Sequence, residues 1–209
     1  MVIGLIAAMS FLLIGGLAGG GKSAALQAGQ STVANLLAAA RTRAMASGNQ
    51  TRVLVQQDVQ SSVATERYGR FLALEELRDG NWETIQTMFL PAGIYVVPHQ
   101  NRTPPNLFGT AAPWTKLDGS RLHSSCLNRS LLTRPVDGTI SEGWIDLPFT
   151  AQGTPSASGL LAVATGQPLA PGSFAAGESP FMLENQESVR GLQLTSYGLA
   201  ILINDRSGF

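Results

Sequence analysis

From Met1 to Gly21 the chain reads MVIGLIAAMSFLLIGGLAGGG and carries no ionisable side chain; the first charge is Lys22. As a helix rising about 1.5 Å per residue, such a tract reaches about 30 Å, the thickness of a bilayer's hydrocarbon layer. Its strongly apolar part, Val2 to Ile14, is short for a span. Gly15, Gly16, Gly19, Gly20 and Gly21 each disfavour a water-exposed helix by about 1 kcal/mol relative to Ala, so the helix is expected to weaken there. Three readings compete: a membrane helix, a cleaved signal peptide, and a buried strand feeding a phosphate-binding loop. A secretory signal has a basic segment before its apolar stretch, and nothing basic precedes Val2.

The phosphate-loop reading has a specific hook. Gly16-Leu-Ala-Gly-Gly-Gly21-Lys22-Ser23 matches G-x-x-x-x-G-K-[ST]. In such a loop backbone N–H groups cradle phosphates, Lys22 neutralises them and Ser23 ligates magnesium, with Leu199 to Asp205 as a metal-side strand. A nucleotide fold, however, needs helices alternating with parallel strands, and nothing after residue 48 reads as a long amphipathic helix. A membrane-associated nucleotide hydrolase using Gly16–Ser23 stays as the alternative function.

Composition narrows the partners. The 209 residues include 14 basic and 14 acidic side chains, a net charge of zero, and the charged fraction of 13% is about half the usual share. Affinity for nucleic acid by phosphate neutralisation needs a basic excess, so nucleic acid is not expected as a partner. With Cys126 as the only cysteine, neither an intramolecular disulfide nor a multi-cysteine zinc site can form.

From Ser23 to Ser47 the pattern turns helical. Leu26, Val33, Leu37, Ala40 and Ala44 recur at helical spacing, with Leu36 and Met45 widening the stripe, while Gln27, Gln30, Asn35, Arg41 and Arg43 lie off it. Gly48-Asn49 is a stop, and Arg41 and Arg43 suit the negative end of the helix dipole. Beyond it come short β-type runs: 51–57, 68–77, 82–89, 94–97, 144–149, 160–164, 189–195 and 199–204, punctuated by Asp79-Gly80, Asp118-Gly119 and Asp137-Gly138. Helix first and strands after describe an α+β fold, antiparallel β-sheets packed on one long N-terminal helix. Ile145, Leu147 and Phe149 alternate with Asp146 and Pro148, and Leu192 and Leu194 with Gln193 and Thr195, so each sheet is expected to have one dry and one wet face. Residues 98–135 hold five prolines and no period, and read as a surface excursion; 166–180 reads as a mobile connection.

This layout resembles type IV pilins and type II secretion pseudopilins. Val2 to Met9, VIGLIAAM, is similar to the part of the pilin signature that follows its acidic residue. Leu36 to Val55, LLAAARTRAMASGNQTRVLV, resembles the helix exit of the GspH and FimT minor pseudopilins. Asp146 to Gly153, DLPFTAQG, and Leu192 to Gly198, LQLTSYG, are similar to strand-and-glycine elements late in those heads. The family's basic leader, cleavage glycine, phenylalanine and glutamate are missing here, so Met1 falls inside the motif and the leader is expected upstream of it.

The resemblance implies three parts: an apolar membrane and filament-core helix over 1–22, its amphipathic continuation over 23–48, and a β-rich head over 49–209. It implies a non-enzymatic subunit with no cofactor and no metal, single-pass in the inner (cytoplasmic) membrane with its head on the periplasmic side. The partners implied are sibling pilin or pseudopilin subunits, the inner-membrane assembly platform and membrane lipid. Filament assembly then buries Ile3, Leu5, Ile6, Phe11, Leu12, Leu13 and Ile14 against sibling helices. The glycines at 15, 16, 19, 20 and 21 serve either as a hinge or, through Gly15 and Gly19 at a four-residue step, in close helix packing. A generic signal-anchored β-domain with a binding role is a further alternative.

Other chemistry is weakly marked. His123-x-x-Cys126 with His99 forms an imaginable metal or thiol–base group, but reads more simply as solvated loop. Glu75-Glu76 and Glu184 with Glu187 read as charged strand edges. No calcium-loop pattern occurs. Among the C-terminal strands only Arg190 and Arg206 are basic, which does not favour DNA uptake, and Trp82, Trp114 and Trp144 read as core or sheet residues.

Overall fold

The computed structural model describes residues 2–58, 65–135 and 141–209, with side chains described from Gly21 onward except at Pro135 and Ser141. Among the described residues one α-helix, α1, runs unbroken from Val2 to Ser47. Gly48, at φ +70°, ends it in the left-handed region that glycine tolerates, its N–H donating to the Ala44 carbonyl at 2.9 Å. The helical backbone therefore continues through Gly15, Gly16, Gly19, Gly20 and Gly21, where weakening was expected from propensity.

Ten strands follow among the described residues: β1 (Thr51–Gln56), β2 (Phe71–Arg78), β3 (Asn81–Phe89), β4 (Ile94–Val96), β5 (Leu132–Pro135), β6 (Ser141–Phe149), β7 (Gly159–Pro168), β8 (Phe181–Leu183), β9 (Val189–Leu194) and β10 (Ala200–Ile203). They form two sheets, ordered β3-β2-β1-β6-β5 and β10-β9-β7-β4, with β8 added to the end of β7. Every pairing is antiparallel. The expected α+β fold, one N-terminal helix packed on antiparallel sheets, is what the chain adopts.

One core joins helix and sheets. Leu26, Val33, Leu36, Leu37, Ala40 and Ala44 of α1 pack with Val53, Val55, Leu72, Leu74, Ile145 and Leu147 of the first sheet, and with Leu161, Val163, Leu192 and Leu194 of the second. Alternation within β1, β6 and β9 turns these residues to the helix side.

The reading of 98–135 as a surface excursion needs correction. Leu107, Phe108, Trp114 and Leu122 from this stretch are buried, and cover the other side of the second sheet against Tyr95, Ala162, Ala164, Phe181 and Val189. Its last residues form β5. β7 thus reads LLAVA because both of its sides are covered, whereas Gln193 of β9 is exposed between buried Leu192 and Leu194, as its alternation predicts. On the first sheet Asp146 is buried, facing Arg129, whose Nε donates to Oδ1 at 2.8 Å. The alternation there marks which residues face the helix; it does not mark a wet side.

Candidate functional site

The built feature of this chain is the seam between α1 and the head. Its apolar stripe follows from helical spacing, with two differences. Met45 is 44% exposed, because about 100° of helix rotation per residue carries it away from the stripe in which its neighbour Ala44 is fully buried. Gln30, polar by type, is 2% exposed: its Nε2 donates to the carbonyls of Gly191 and Ile203, each at 2.8 Å, tying α1 to β9 and β10 at once. Gly29, also in the seam, lies so close to β4 that a Cβ would meet Ile94 Cγ2 at 2.7 Å. Neither residue stands out in a hydrophobic pattern, since one is polar and the other has no side chain.

Polar contacts pin the seam along its length. Lys22 Nζ sits 2.9 Å from Glu184 Oε1. Arg41 Nε donates to the Tyr197 carbonyl at 3.1 Å, and Thr51 Oγ1 donates to the Ala40 carbonyl at 2.9 Å. At the C-terminal end Glu76 receives Arg43 Nη2 at 2.9 Å, Arg78 Nη2 at 2.7 Å and Asn49 Nδ2 at 3.1 Å. The hydroxyl of Ser47, the Asn49 carboxamide and the two guanidinium groups outweigh the desolvation of this buried carboxyl and lower its pKa from 4.5 to about 2.

Glu75 and Glu76 are therefore not a charged edge. β2 lies inside its sheet, both carboxylates are fully buried, and successive residues point to opposite sides. Glu75 takes Arg52 Nη2 at 2.7 Å, Arg134 Nη2 at 2.6 Å and the Thr84 hydroxyl at 3.1 Å. Arg52 in turn lies 4.0 Å from the Trp82 ring centroid, a cation–π contact that gives this tryptophan a structural place. Trp114 and Trp144 are buried. Glu184 pairs with Lys22, and Glu187 lies 3.5 Å from Arg206.

The phosphate-loop alternative is overturned by the backbone: Gly16 to Ser23 is helix, not a loop between strand and helix, and Lys22 is engaged by a carboxylate. Backbone N–H groups inside a helix bond to carbonyls four residues back and cannot cradle a phosphate. His99 and His123 do come together, edge to face with ring centroids 4.8 Å apart. Burial, then the neighbouring His123 and Arg102, lowers the His99 pKa, which disfavours its charged form. Cys126 is fully buried in the helix-side core, where desolvation pushes its thiol up to about 12, so it is no nucleophile. Among the described residues no group of three or more His, Cys, Asp or Glu side chains could hold a metal ion.

The expected assembly residues Ile3, Leu5, Ile6, Phe11, Leu12, Leu13 and Ile14, and the glycines at 15, 16, 19 and 20, lie outside the residues whose side chains are described. Gly21 is exposed, with nothing within 4 Å of an added Cβ. Among the described residues no helix is long and apolar enough to cross a membrane.

No family model and no curated protein matches the chain. Two solved structures of the minor pseudopilin EpsH from the type II secretion system of Vibrio cholerae are similar to it. One is 17% identical with a TM-score of 0.40, the other 20% identical with a TM-score of 0.39, and each alignment covers 86% of this chain and 95% of the other. Both superpositions are loose.

Proposed function

We propose that this chain is a non-enzymatic minor pilin or pseudopilin subunit that enters a type II secretion pseudopilus or a type IV pilus through its opening helix. The observation that carries the reading is the division of α1. Its second half, from Leu26, is built into the head's core, while the same unbroken helix begins with a tract free of charge. From Val2 to Ala25 that helix measures about 36 Å at 1.5 Å per residue. The sequence likenesses at Val2–Met9, Leu36–Val55, Asp146–Gly153 and Leu192–Gly198 support the same assignment.

The physical activity is association. An apolar helix in the inner membrane, its head on the periplasmic side, leaves lipid only when sibling helices replace it. Ile3, Leu5, Ile6, Phe11, Leu12, Leu13 and Ile14 supply that surface. At about 25 cal/mol per Å² of apolar area, such a bundle is held by tens of kcal/mol gross per subunit before ordering costs. Gly15 and Gly19 let neighbouring helices approach closely. The partners are sibling subunits, the assembly platform and lipid, and the working division is 1–22 for membrane and filament core, 23–48 for the helix in the head, and 49–209 for the head.

The test is partition of the full chain expressed in a diderm bacterium. The wild type is expected to stay with the inner-membrane fraction after high-salt and carbonate washes. Phe11→Asp combined with Leu12→Asp is expected to release it and to abolish photo-crosslinks from position 6 to other single-helix subunits. Release of the wild type by salt alone, or crosslinks unchanged by the aspartates, overturns the reading.

A further inference from the structure

β9 runs along α1 in the helix's own direction, since its Gly191 carbonyl meets Gln30 and the Tyr197 carbonyl beyond it meets Arg41. β7 pairs antiparallel with β9 and so runs back towards the start of the helix. Near its end Gly166 lines one cavity with Lys22 and Ala25, and Glu184, which follows β8, holds Lys22 Nζ at 2.9 Å. The loop 169–180 joins β7 to β8 beyond that level. It therefore lies on the side of Lys22 from which the charge-free tract of α1 arrives.

The loop reads LAPGSFAAGESP and carries no charge before Glu178. The turn at the opposite end of the head, between β2 and β3, reads RDGNWE over 78–83 and is charged. Ala170, Pro171, Ser173, Ala175 and Ala176 are exposed. Leu169 and Phe174 are half-buried and outside the packed core; with Tyr95, Arg70 and Glu66 they line a cavity of about 730 Å³. The backbone is largely satisfied from within. Pro168, Pro171 and Pro180 have no N–H, and the N–H groups of Leu169, Ser173, Ala175 and Glu178 already donate to groups of the loop.

We propose that this loop is a second membrane contact, resting in the headgroup layer on the head's side of the bilayer with Leu169 and Phe174 turned towards the acyl chains. The inference rests on the anchoring proposed above for the opening helix. With that helix in hydrocarbon up to Gly21, Lys22 and Glu184 come to the headgroup layer, and a loop projecting past them meets the same leaflet. Irregular backbone is costly in hydrocarbon, so the loop stays at the interface, where water reaches the N–H groups it leaves open. Aromatic and aliphatic side chains reach below the headgroups from such a position. A helix alone leaves the head free to turn about its axis. Helix and loop together fix the face that the head shows to its siblings.

The test places a nitrobenzoxadiazole label on Ala175→Cys, next to Phe174, in the full chain. Cys126 is buried with its thiol pushed up, so it stays unlabelled. The chain is reconstituted at low protein-to-lipid ratio in vesicles of phosphatidylethanolamine and phosphatidylglycerol that contain a nitroxide-bearing lipid as quencher. The label at 175 is expected to lose several-fold more fluorescence than one on Asn81→Cys in the far turn. Phe174→Asp, added to Ala175→Cys, is expected to remove most of that difference, because a carboxylate resists leaving water. Should that variant disturb the fold by circular dichroism, Leu169→Asp provides the same reading. A label on Ser10→Cys reports on the helix separately. Quenching at 10 with no more at 175 than at 81 overturns this proposal and leaves the anchoring standing, whereas no quenching at any of the three overturns both. Quenching at 175 that neither aspartate reduces, or that appears only as the protein-to-lipid ratio rises, also overturns it, the latter by assigning the loop to a second copy of the chain.

Discussion

Gln30 and Gly191 are 161 residues apart in sequence and joined by a 2.8 Å hydrogen bond in the core, with the Gln30 side chain giving its second proton to Ile203. The strand is closely packed there: a Cβ at Gly191 would meet the Phe209 ring at 2.7 Å and Leu160 at 3.1 Å. The helix is thus fastened to the second sheet through a polar side chain in an apolar seam. Replacing Gln30 by Leu removes that partner from the backbone at a buried site. Urea denaturation is expected to show a loss of about 1–3 kcal/mol, whereas Gln27→Ala, on the exposed side of the same turn, stays within about 0.5 kcal/mol. Equal effects from the two would show that the bond to Gly191 contributes nothing.

The contrast between these two glutamines marks where sequence reasoning stops. Spacing located the helix, its stop at Gly48 and the strand runs, because burial of Leu26, Val33, Leu37 and Ala40 repeats with the helical period and that of Leu192 and Leu194 with the strand period. Gln30 broke the helical pattern while lying in the same stripe, since periodicity registers hydrophobicity and not a hydrogen bond to a distant carbonyl. The packing role of 98–135 is hidden from periodicity for a related reason. Leu107, Phe108, Trp114 and Leu122 are held by irregular backbone, so their burial has no period. Glu75 and Glu76 look like edge charges until the order of the strands is known, and that order is a long-range property.

Glu76 sets an acid limit. Its carboxyl titrates at about 2 in the fold against an ordinary 4.5, so the folded state holds its proton less tightly than the unfolded chain does. The stabilisation is complete above about pH 4.5 and fades as the pH falls towards 2, where both states are protonated. At pH 7 Glu76→Gln is expected to lower stability on the order of 3 kcal/mol. The gap to the wild type should shrink through that acid window in denaturation curves taken at successive pH values. A gap independent of pH from 7 to 2 would mean that the contacts of Arg43, Arg78 and Asn49 do not depend on its charge.

Lys22 makes the outermost contact of the seam. Its side chain is 65% exposed and that of Glu184 28% exposed, so solvent and salt screen the pair. Lys22→Ala is expected to change stability by less than about 1 kcal/mol. Because Gly16 to Ser23 is helical, neither wild type nor variant should retain magnesium–ATP in equilibrium dialysis. Magnesium-dependent binding lost in the variant would restore the nucleotide reading.

Cys126 is fully buried and its thiol titrates at about 12, so almost none is thiolate at pH 8. Thiolate is the reactive form. Iodoacetamide at pH 8 is expected to leave the folded protein unlabelled, and to label it stoichiometrically once guanidinium exposes the core. Rapid labelling without denaturant would show that the helix-side core opens locally under native conditions.

Gly198 and Gly80 separate two costs of giving a glycine a side chain. Both have left-handed backbones, φ +79° and +80°, and alanine at either pays about 1–2 kcal/mol for that conformation. At Gly80 nothing lies within 4 Å of an added Cβ. At Gly198 the new methyl group would run into the Gly153 carbonyl and lie 3.0 Å from Arg41 Cδ, where the β9–β10 turn, the turn after β6 and the helix converge. A backbone carbonyl cannot step aside as a flexible side chain does, and Gly153 is itself confined by Arg41 and Met45. Gly198→Ala is therefore expected to lose more than about 3 kcal/mol by thermal denaturation, against about 1–2 kcal/mol for Gly80→Ala. Since Arg41 holds the Tyr197 carbonyl, the Gly198 variant should also loosen the hairpin that leads into β10, seen as faster amide exchange at Leu199 and Ile201. Equal losses from the two alanines would mean that the turns do not meet at Arg41 as closely as the geometry requires.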